Sequence, residues 1–153
     1  MKVRDVMQKG IDPIAPDATV TEAALRMAEL DRGAVLVGTK DALAGILTDR
    51  DIILRVVALG RNPSEVAVAD VMSSTLFTCR DGDTLDHVFR EMRERQVRRL
   101  PVMDSAGKPV GIVTLRDLSR VSREPELVEQ ALRDLAEPHA DPARPSRSSG
   151  PAG

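Results

Sequence analysis

The chain has 153 residues, of which 42% are hydrophobic and 30% charged, and a formal net charge of −2, as in an ordinary globular protein. The slight acidic excess, with two Phe and no Tyr or Trp, argues against a nucleic-acid surface, which needs a basic field and aromatic platforms. One cysteine and two histidines exclude an intramolecular disulfide and disfavour a metal site. Without an apolar signal region or a membrane-length apolar run, we expect one compact cytoplasmic protein with no membrane contact.

An internal repeat organises the sequence. Residues 68–72 resemble residues 3–7 at an offset of 65 positions (68 − 3). Between Gly45 and Gly111 the offset is 66 positions (111 − 45), which indicates one inserted residue in the turn at 104–108. Two copies predict pseudo-two-fold packing rather than a solenoid, because a solenoid needs about three or more repeats.

The first copy predicts the element order β-α-β-β-α. After a short helical lead-in at 3–7, the two prolines in 10–16 allow only a brief extended segment. Thr19 and Glu22 then have the spacing of a capping box, which predicts a helix that runs to about residue 31 and is ended by Gly33. The remaining predictions are strands at 34–37 and 43–47 and a broadly apolar helix at 49–59.

The second copy predicts the same plan, with a helix at 84–95, strands at 100–103 and 109–114 and a helix at 115–121. Pro125 suits the first turn of an additional helix. Residues 138–153 are rich in Pro, Ser, Ala, Gly and Arg and are expected to be disordered. The predicted units are 1–65 for the first repeat, 66–123 for the second, 124–137 for a C-terminal helix and 138–153 for the tail.

The most informative motif occurs once in each copy. Residues 45–51 and 111–117 both read Gly, two aliphatic residues, Thr, any residue, Arg and Asp. Each begins as a short apolar strand and continues into a helix, so backbone N–H groups and a carboxylate meet at one point. A phosphorylated ligand that also carries hydroxyl groups suits such a point.

This duplicated unit resembles the CBS domain pair, the Bateman-type module named after cystathionine β-synthase. The resemblance rests on Asp-Val-Met at 5–7 and 70–72, on Arg-Arg-Leu-Pro-Val at 98–102 and on the two Gly-x-x-Thr-x-x-Asp copies. It implies an α+β fold in which two tandem CBS domains pack with pseudo-two-fold symmetry. The chain looks similar to small stand-alone two-CBS proteins of actinobacteria linked to hypoxia or stress response.

The resemblance also implies an adenosine-containing ligand, AMP, ADP, ATP or S-adenosylmethionine, in clefts between the repeats. In that family the Asp of the motif binds ribose and the Thr and nearby basic residues bind phosphate. We expect Thr78 to serve the second cleft and Pro13, which has no side-chain donor, to weaken the first. The candidate ligand contacts carried over in this way are Pro13, Ile14, Thr48, Arg50, Asp51, Thr78, Cys79, Arg99, Pro101, Thr114, Arg116 and Asp117.

Several of these residues also have plain structural interpretations. Thr-x-x-Asp is itself a capping-box variant, and the two roles can coexist. Arg50 and Arg116 can simply be solvated residues of a first helical turn. Because an Arg there opposes the helix dipole, an anion beside it is the alternative interpretation. Arg98 and Arg99 either reach phosphate or form surface pairs with Glu91 and Glu94, and their position at a strand start favours the surface pairs. Cys79 is expected to be a buried, inert thiol.

The sequence contains no recognisable catalytic set, so we expect a regulatory nucleotide-binding module rather than an enzyme. Ligand binding between the repeats would change their packing, and an unidentified protein partner would respond to that change. The alternative is a dimeric interaction scaffold with empty clefts, and the acidic balance disfavours a nucleic-acid-linked regulator. The apolar helix at 49–59 predicts a homodimer through Ile53, Val56, Val57 and Leu59.

Overall fold

The computed structural model describes residues 1–121 and 125–136. The first repeat begins with a 3-10 turn at Val3–Asp5. Its further elements are β1 (Gln8–Lys9), α1 (Val20–Leu30), β2 (Ala34–Gly38), β3 (Leu43–Thr48) and α2 (Asp49–Ile52), which continues as a π-helical segment at Ile53–Val57. The second repeat comprises α3 (Val68–Val71), β4 (Cys79–Arg80), α4 (Leu85–Arg95), β5 (Arg99–Met103), β6 (Pro109–Thr114) and α5 (Leu115–Val121). An additional helix, α6 (Pro125–Ala136), follows.

The helix starts predicted from capping residues are confirmed. The Glu22 backbone N–H donates to Thr19 Oγ1 at 3.2 Å, and the Thr19 N–H donates to the Glu22 carboxylate at 3.0 Å. α1 ends at Leu30, close to the predicted residue 31, but the residue that ends it is Asp31, which takes the left-handed conformation with φ 50°, and not Gly33. The predicted regular helix at 49–59 is also wrong after Ile52, where the backbone widens into the π-helical segment.

The two lead-in segments exchange places between the repeats. β1, in the first repeat, pairs antiparallel with β6 of the second, with Gln8 opposite Ile112. Ser73, the counterpart of Gln8 in the second repeat, bridges Ile46 on β3 of the first. Each repeat therefore completes its sheet with a segment from the other, and this exchange holds the two units together.

The glycine that opens each motif makes this exchange possible. A Cβ on Gly111 would overlap the carbonyl oxygen of Gln8, and a Cβ on Gly45 would lie 2.5 Å from the carbonyl oxygen of Ser73. Any side chain at these positions would push the crossing segment off the strand. The first residue of the motif therefore serves the packing between the repeats.

Two aliphatic cores reflect the same exchange. Val3 is fully buried in the core of the second repeat, beside Phe89 and Leu100. Val68 and Val71 are buried in the core of the first repeat. The expected aliphatic character of the core follows from the near absence of aromatic residues.

The four-stranded sheet has the order β1-β6-β5-β4, and β2 and β3 form a second sheet. Among the described residues, no helix combines the length and apolar character needed to cross a membrane. The prediction of a disordered tail at 138–153 lies outside the described residues.

Candidate ligand-binding site

A cleft of about 680 Å³ lies between the two repeats beside the second motif. β6 and the start of α5 provide Ile112, Thr114, Arg116 and Ser119. The other walls come from the crossing segment at residues 8–12, from residues 30–36 at the end of α1 and in β2, and from Leu132 on α6. Because both repeats line it, a ligand bound here would touch both.

The exchange of lead-ins decides which segment serves which motif. Residues 10–12, which line the cleft beside Thr114, directly precede Pro13. The segment after Ser73, which leads to Thr78, starts instead beside the first motif. Our assignment of Thr78 to the second cleft and Pro13 to the first therefore has to be exchanged, because we had assumed that each lead-in stays with its own repeat.

The second motif is capped and has capacity left for a ligand. The Thr114 backbone N–H donates to Asp117 Oδ2 at 2.9 Å, and the Asp117 N–H donates to Thr114 Oγ1 at 3.1 Å. Gln8, which lines the cleft, places its Nε2 3.5 and 3.4 Å from the two carboxylate oxygens of Asp117. A carboxylate accepts about four hydrogen bonds, so the half-buried Asp117 keeps unused acceptor positions.

The first motif has the same cap but a different carboxylate environment. The Thr48 N–H donates to Asp51 Oδ2 at 2.8 Å. Arg55 lies one turn further on, and its Nη2 is 3.5 Å from Asp51 Oδ1. Its Nη1 donates to the carbonyl oxygen of Val71 at 2.7 Å. Asp51 and Arg55 are 8% and 7% exposed, so this carboxylate is committed to a buried ion pair that anchors α3.

Residue 121, the counterpart of Arg55 at the offset of 66, is a valine. The second motif therefore cannot form the equivalent pair. On the first-motif side, Arg95 lies 4.8 Å above the ring of Phe77, whereas the corresponding positions beside the second motif, Leu30 and Asp12, line the cleft. The two motifs thus share a sequence and differ in their surroundings.

Arg98 and Arg99 both line the cleft. Of the two acids expected to pair with them, Glu91 and Glu94, Glu91 has its carboxylate 3.6 Å from Nε of Arg95, one turn along the same helix. Neighbours on one helix face form such pairs more easily than residues on a following strand.

The remaining predicted contacts do not line the cleft. Ile14 and Pro101 are buried in strand pairing, and Pro13 is half-buried. Thr78 and Arg50 are exposed. Cys79 is buried as expected, and burial, with a smaller effect of the Asp83 charge, raises the pKa of its thiol from 9.0 to about 12.

The sequence reasoning missed Gln8, Arg32 and Leu132 as cleft residues. Gln8 could have been predicted as a cleft residue. It directly follows the lead-in at 3–7, so it lies beside the second motif once the lead-ins are known to be exchanged. Leu132 lies beyond the repeat and had no signal, because its place depends on how α6 packs against α4.

Comparison with known proteins agrees with this architecture. The sequence model of the family described as CBS domain matches residues 3–58 and 68–124. The chain belongs to the CBS domain family. The predicted resemblance and the tandem α+β fold are therefore confirmed.

Three relatives of this chain differ in how much of their own length it covers. The chain is 36% identical over 129 residues to a protein of Methanopyrus kandleri, covering 84% of this chain and only 65% of that protein. It is 36% identical to the CBS domain-containing protein YhcV of Bacillus subtilis, covering 88% and 94% of the two chains. It is 35% identical to Hypoxic response protein 1 of Mycobacterium tuberculosis, covering 82% and 88%.

Two solved structures show the same fold. A crystal structure of Hypoxic Response Protein I with two coordinated zinc ions superposes with a TM-score of 0.71 at 33% identity, covering 80% of this chain and 99% of that one. A hexameric CBS-CP12 protein from bloom-forming cyanobacteria gives a TM-score of 0.73 at 25% identity, covering 82% and 74%. The zinc ions are a property of the former protein. Within residues 1–121 and 125–136 of this chain, no group of three or more His, Cys, Asp or Glu side chains is placed to hold a metal.

Proposed function

We propose that this CBS pair is a non-catalytic regulatory module that binds an adenine nucleotide in the cleft beside the second motif. The observation that carries the proposal is the position of Thr114 and Arg116 on the wall of a cleft that both repeats line. The coarser statement, that the chain is a CBS-pair module of a kind that commonly regulates and binds ligands, rests on the family itself.

The polar groups in and beside the cleft match the parts of a nucleotide. Asp117 does not line the cleft itself, but it lies behind Gln8 and next to Thr114, which do. Asp117 would accept hydrogen bonds from the two ribose hydroxyls, with the Gln8 amide moving aside, because its distances of 3.4 and 3.5 Å to that carboxylate are at the limit for a hydrogen bond. Arg116 would donate to phosphate. The aliphatic side chains of Val35 and Ile112 provide apolar walls for the purine ring.

Binding at this place would alter how the repeats pack. Gln8 belongs to the crossing segment of the first repeat, and Asp117 to the second, so a ribose that displaces the Gln8 amide acts on the β1–β6 contact. A ligand can shift a conformational equilibrium only by its differential affinity for the two states. Here the differential affinity would come from the β1–β6 contact, which changes when the ribose displaces the Gln8 amide.

One nucleotide per chain is the proposed stoichiometry. Asp51 already accepts from the Thr48 backbone and pairs with the buried Arg55. A ribose would have to compete with that ion pair in a site with little water, and breaking a buried pair costs about 3–5 kcal/mol. The first motif is therefore proposed to be structural.

Self-association is the second part of the proposal. Ile53, Val57 and Leu59 are 57%, 64% and 54% exposed and form an apolar surface. Val56, which we had included in this interface, is fully buried, because the π-helical segment turns it into the first core. The hexameric CBS-CP12 relative supports association of such modules, and a homodimer with an unidentified protein partner is proposed here.

Isothermal titration calorimetry with AMP, ADP, ATP and S-adenosylmethionine tests the nucleotide function. We expect binding of at least one of them at one site per chain, with Asp117→Ala weakening it by tens-fold. Asp86→Ala is the matched control, because Asp86 lies exposed in the first turn of α4, away from the cleft, and should leave affinity unchanged. Absence of binding heat with all four ligands at millimolar concentration would support the scaffold alternative. The apolar surface at Ile53 and Val57 is compatible with that alternative too.

A further inference from the structure

The exposed apolar side chains are concentrated on the helices of the first repeat. Among the residues that the structure describes, seven large hydrophobic side chains are exposed, and five of them lie on α1, on the π-helical segment or directly after it. The five are Leu25, Leu30, Ile53, Val57 and Leu59. None of the seven lies on α4 or α5, the corresponding helices of the second repeat. The two repeats therefore differ in the surface that their helices present.

The sequence accounts for this difference. At offsets of 65, 66 and 66 positions, the counterparts of Leu25, Ile53 and Val57 in the second repeat are Arg90, Ser119 and Arg123. The second repeat also has α6, which packs against α4 and places Val128 on the second core. The open apolar face is thus a property of the first repeat and not of the duplicated unit.

Acidic residues flank the apolar centre on α1. Leu25 lies three residues after Glu22 and four before Glu29, so the three side chains follow one another along one side of the helix. All three are exposed, and we call them the acidic stripe. Arg26, the arginine of α1, is directed elsewhere, since its Nη1 lies 3.7 Å from Asp12 Oδ1.

Basic residues flank the apolar centre on the neighbouring helix. Arg50 lies in the first turn of α2, and Ile53 and Val57 follow at one-turn spacing. Arg61 closes the helix, because its backbone N–H donates to the Val56 carbonyl at 3.0 Å. The four exposed residues Arg50, Ile53, Val57 and Arg61 form the basic stripe. Since α1 contacts α2, the two stripes belong to one surface.

The buried ion pair of the first motif fixes the orientation of the basic stripe. Within the π-helical segment Arg55 and Val56 are buried, whereas Ile53 and Val57 on either side of them are exposed. The Arg55 guanidinium is held 3.5 Å from the Asp51 carboxylate, so the segment cannot turn about its axis without breaking that pair. The first motif therefore holds this surface in place.

We propose that the acidic stripe of one protomer lies on the basic stripe of a second copy, in an isologous dimer that joins the two first repeats and leaves the second repeats outside the interface. The inference rests on the self-association part of the proposed function and narrows it to one face of one repeat. A two-fold axis uses each stripe twice, once in each protomer. The apolar centres then meet inside a charged rim, the usual anatomy of a protein interface.

Charge complementarity identifies a second copy as the occupant. One helix of the face carries acidic ends and its neighbour carries basic ends, so the face is complementary to itself when α1 of one protomer meets α2 of the other. A partner surface with one sign of charge would be repelled by one of the two stripes, and such like-charge contacts cost binding energy.

The proposed dimer divides the work between the two copies of the motif. None of the seven stripe residues lines the cleft beside the second motif, so association leaves that cleft accessible. The second motif would serve the ligand and the first would serve the dimer. Variants of the stripes should accordingly change the mass of the protein in solution without closing the cleft.

Light scattering and sedimentation velocity of the full chain at micromolar concentration test the apolar centre. Leu25→Arg should raise the dimer dissociation constant by about a hundredfold or more, because an isologous interface meets each substitution twice. Leu132→Arg is the matched control, since Leu132 is a similarly exposed leucine that lies on α6 and outside the stripes. It should leave the dimer mass unchanged. Both positions are exposed in the protomer, and circular dichroism checks that both variants keep the fold.

The salt dependence of association tests the charged ends. Added salt should weaken the wild-type dimer, because it screens the attraction between the stripes. Arg50→Glu combined with Arg61→Glu should weaken the dimer at least about tenfold at low salt, and added salt should then strengthen it, because like charges face each other. The control combines Arg90→Glu with Arg120→Glu, which changes the net charge equally at exposed positions of the second repeat. It should keep the wild-type salt dependence.

The outcomes separate this inference from the function on which it rests. A monomeric wild type would overturn the inference together with the proposed self-association, and would leave the nucleotide function standing. A dimer that persists in Leu25→Arg would overturn the inference alone, as would a salt dependence that the Arg50 and Arg61 substitutions do not reverse. A dimer lost in Leu25→Arg and kept in Leu132→Arg would support it.

Discussion

Replacing Gly111 with alanine tests the exchange of lead-ins that builds the cleft. The new Cβ would overlap the carbonyl oxygen of Gln8 and would lie 3.1 Å from Met7 Sδ. The backbone oxygen cannot rotate away, so β1 has to move off β6. That movement would break the Gln8–Ile112 pairing and carry the Gln8 amide away from Asp117.

The expected cost combines two effects. Overfilling a packed contact costs about 1–3 kcal/mol, and each backbone hydrogen bond lost from the strand pair costs about 0.5–1.5 kcal/mol. The Gly10 N–H, which donates to the Val110 carbonyl at 2.8 Å, belongs to the same edge. We therefore expect Gly111→Ala to lower the free energy of unfolding by about 2–4 kcal/mol, a large part of the stability of a domain of this size.

Urea denaturation followed by circular dichroism measures this difference. Gly82→Ala is the control, because a Cβ there would meet only the flexible end of Arg4, with Nη2 at 3.0 Å. It should change the free energy of unfolding by less than about 0.5 kcal/mol. If Gly111→Ala unfolds at the same urea concentration as the wild type, the close passage of β1 over β6 is not a feature of the protein in solution.

Three further predictions concern the other buried and apolar features. Asp51→Asn should destabilise the fold by about 3–5 kcal/mol in urea denaturation, because it leaves the Arg55 charge buried without its partner carboxylate. Asp117→Asn should cost only the ~1 kcal/mol of a helix cap, and a loss no larger than that for Asp51→Asn would contradict the ion-pair role. Burial raises the thiol pKa of Cys79 from 9.0 to about 12, so the folded state holds the thiol proton more tightly than the unfolded state does. Stability should be unaffected below about pH 9 and should fall as pH rises from 9 to 12, and native protein should resist iodoacetamide at pH 8. Light scattering should give a dimer mass that Val57→Asp converts to a monomer mass, and a wild-type monomer would refute the proposed interface.

The sequence predicted the features that depend on near neighbours. Thr19 with Glu22, and Thr114 with Asp117, cap helices as their three-residue spacing requires. The strands of each hairpin also follow from local apolar patterns and turn residues. Such contacts are decided within one turn or one hairpin, so a single copy of the repeat contains all the information that they need.

The misplaced features depend on contacts between distant segments. Thr78 and Pro13 were assigned to the wrong clefts because the repeat pattern gives the order of elements within one copy and not the partner of each edge strand. Val56 was counted as exposed because a regular helix, extended beyond Ile52, would have placed it on the outer face. Arg55 received no role, since its partners, Asp51 and the Val71 carbonyl, meet it only in the folded protein.

Ribose recognition by Asp117 is the central claim, and a paired titration tests it most directly. ATP and 2′-deoxy-ATP are titrated by calorimetry into the wild type and into Asp117→Ala. A hydrogen bond to a charged acceptor is worth about 1.5–3 kcal/mol, so the wild type should lose about tenfold or more in affinity for the deoxy analogue. The variant should bind ATP tens-fold more weakly than the wild type and should bind the two nucleotides almost equally. Equal binding of the two nucleotides by the wild type, or normal ATP binding by Asp117→Ala, would contradict the account and leave the second motif as a helix cap.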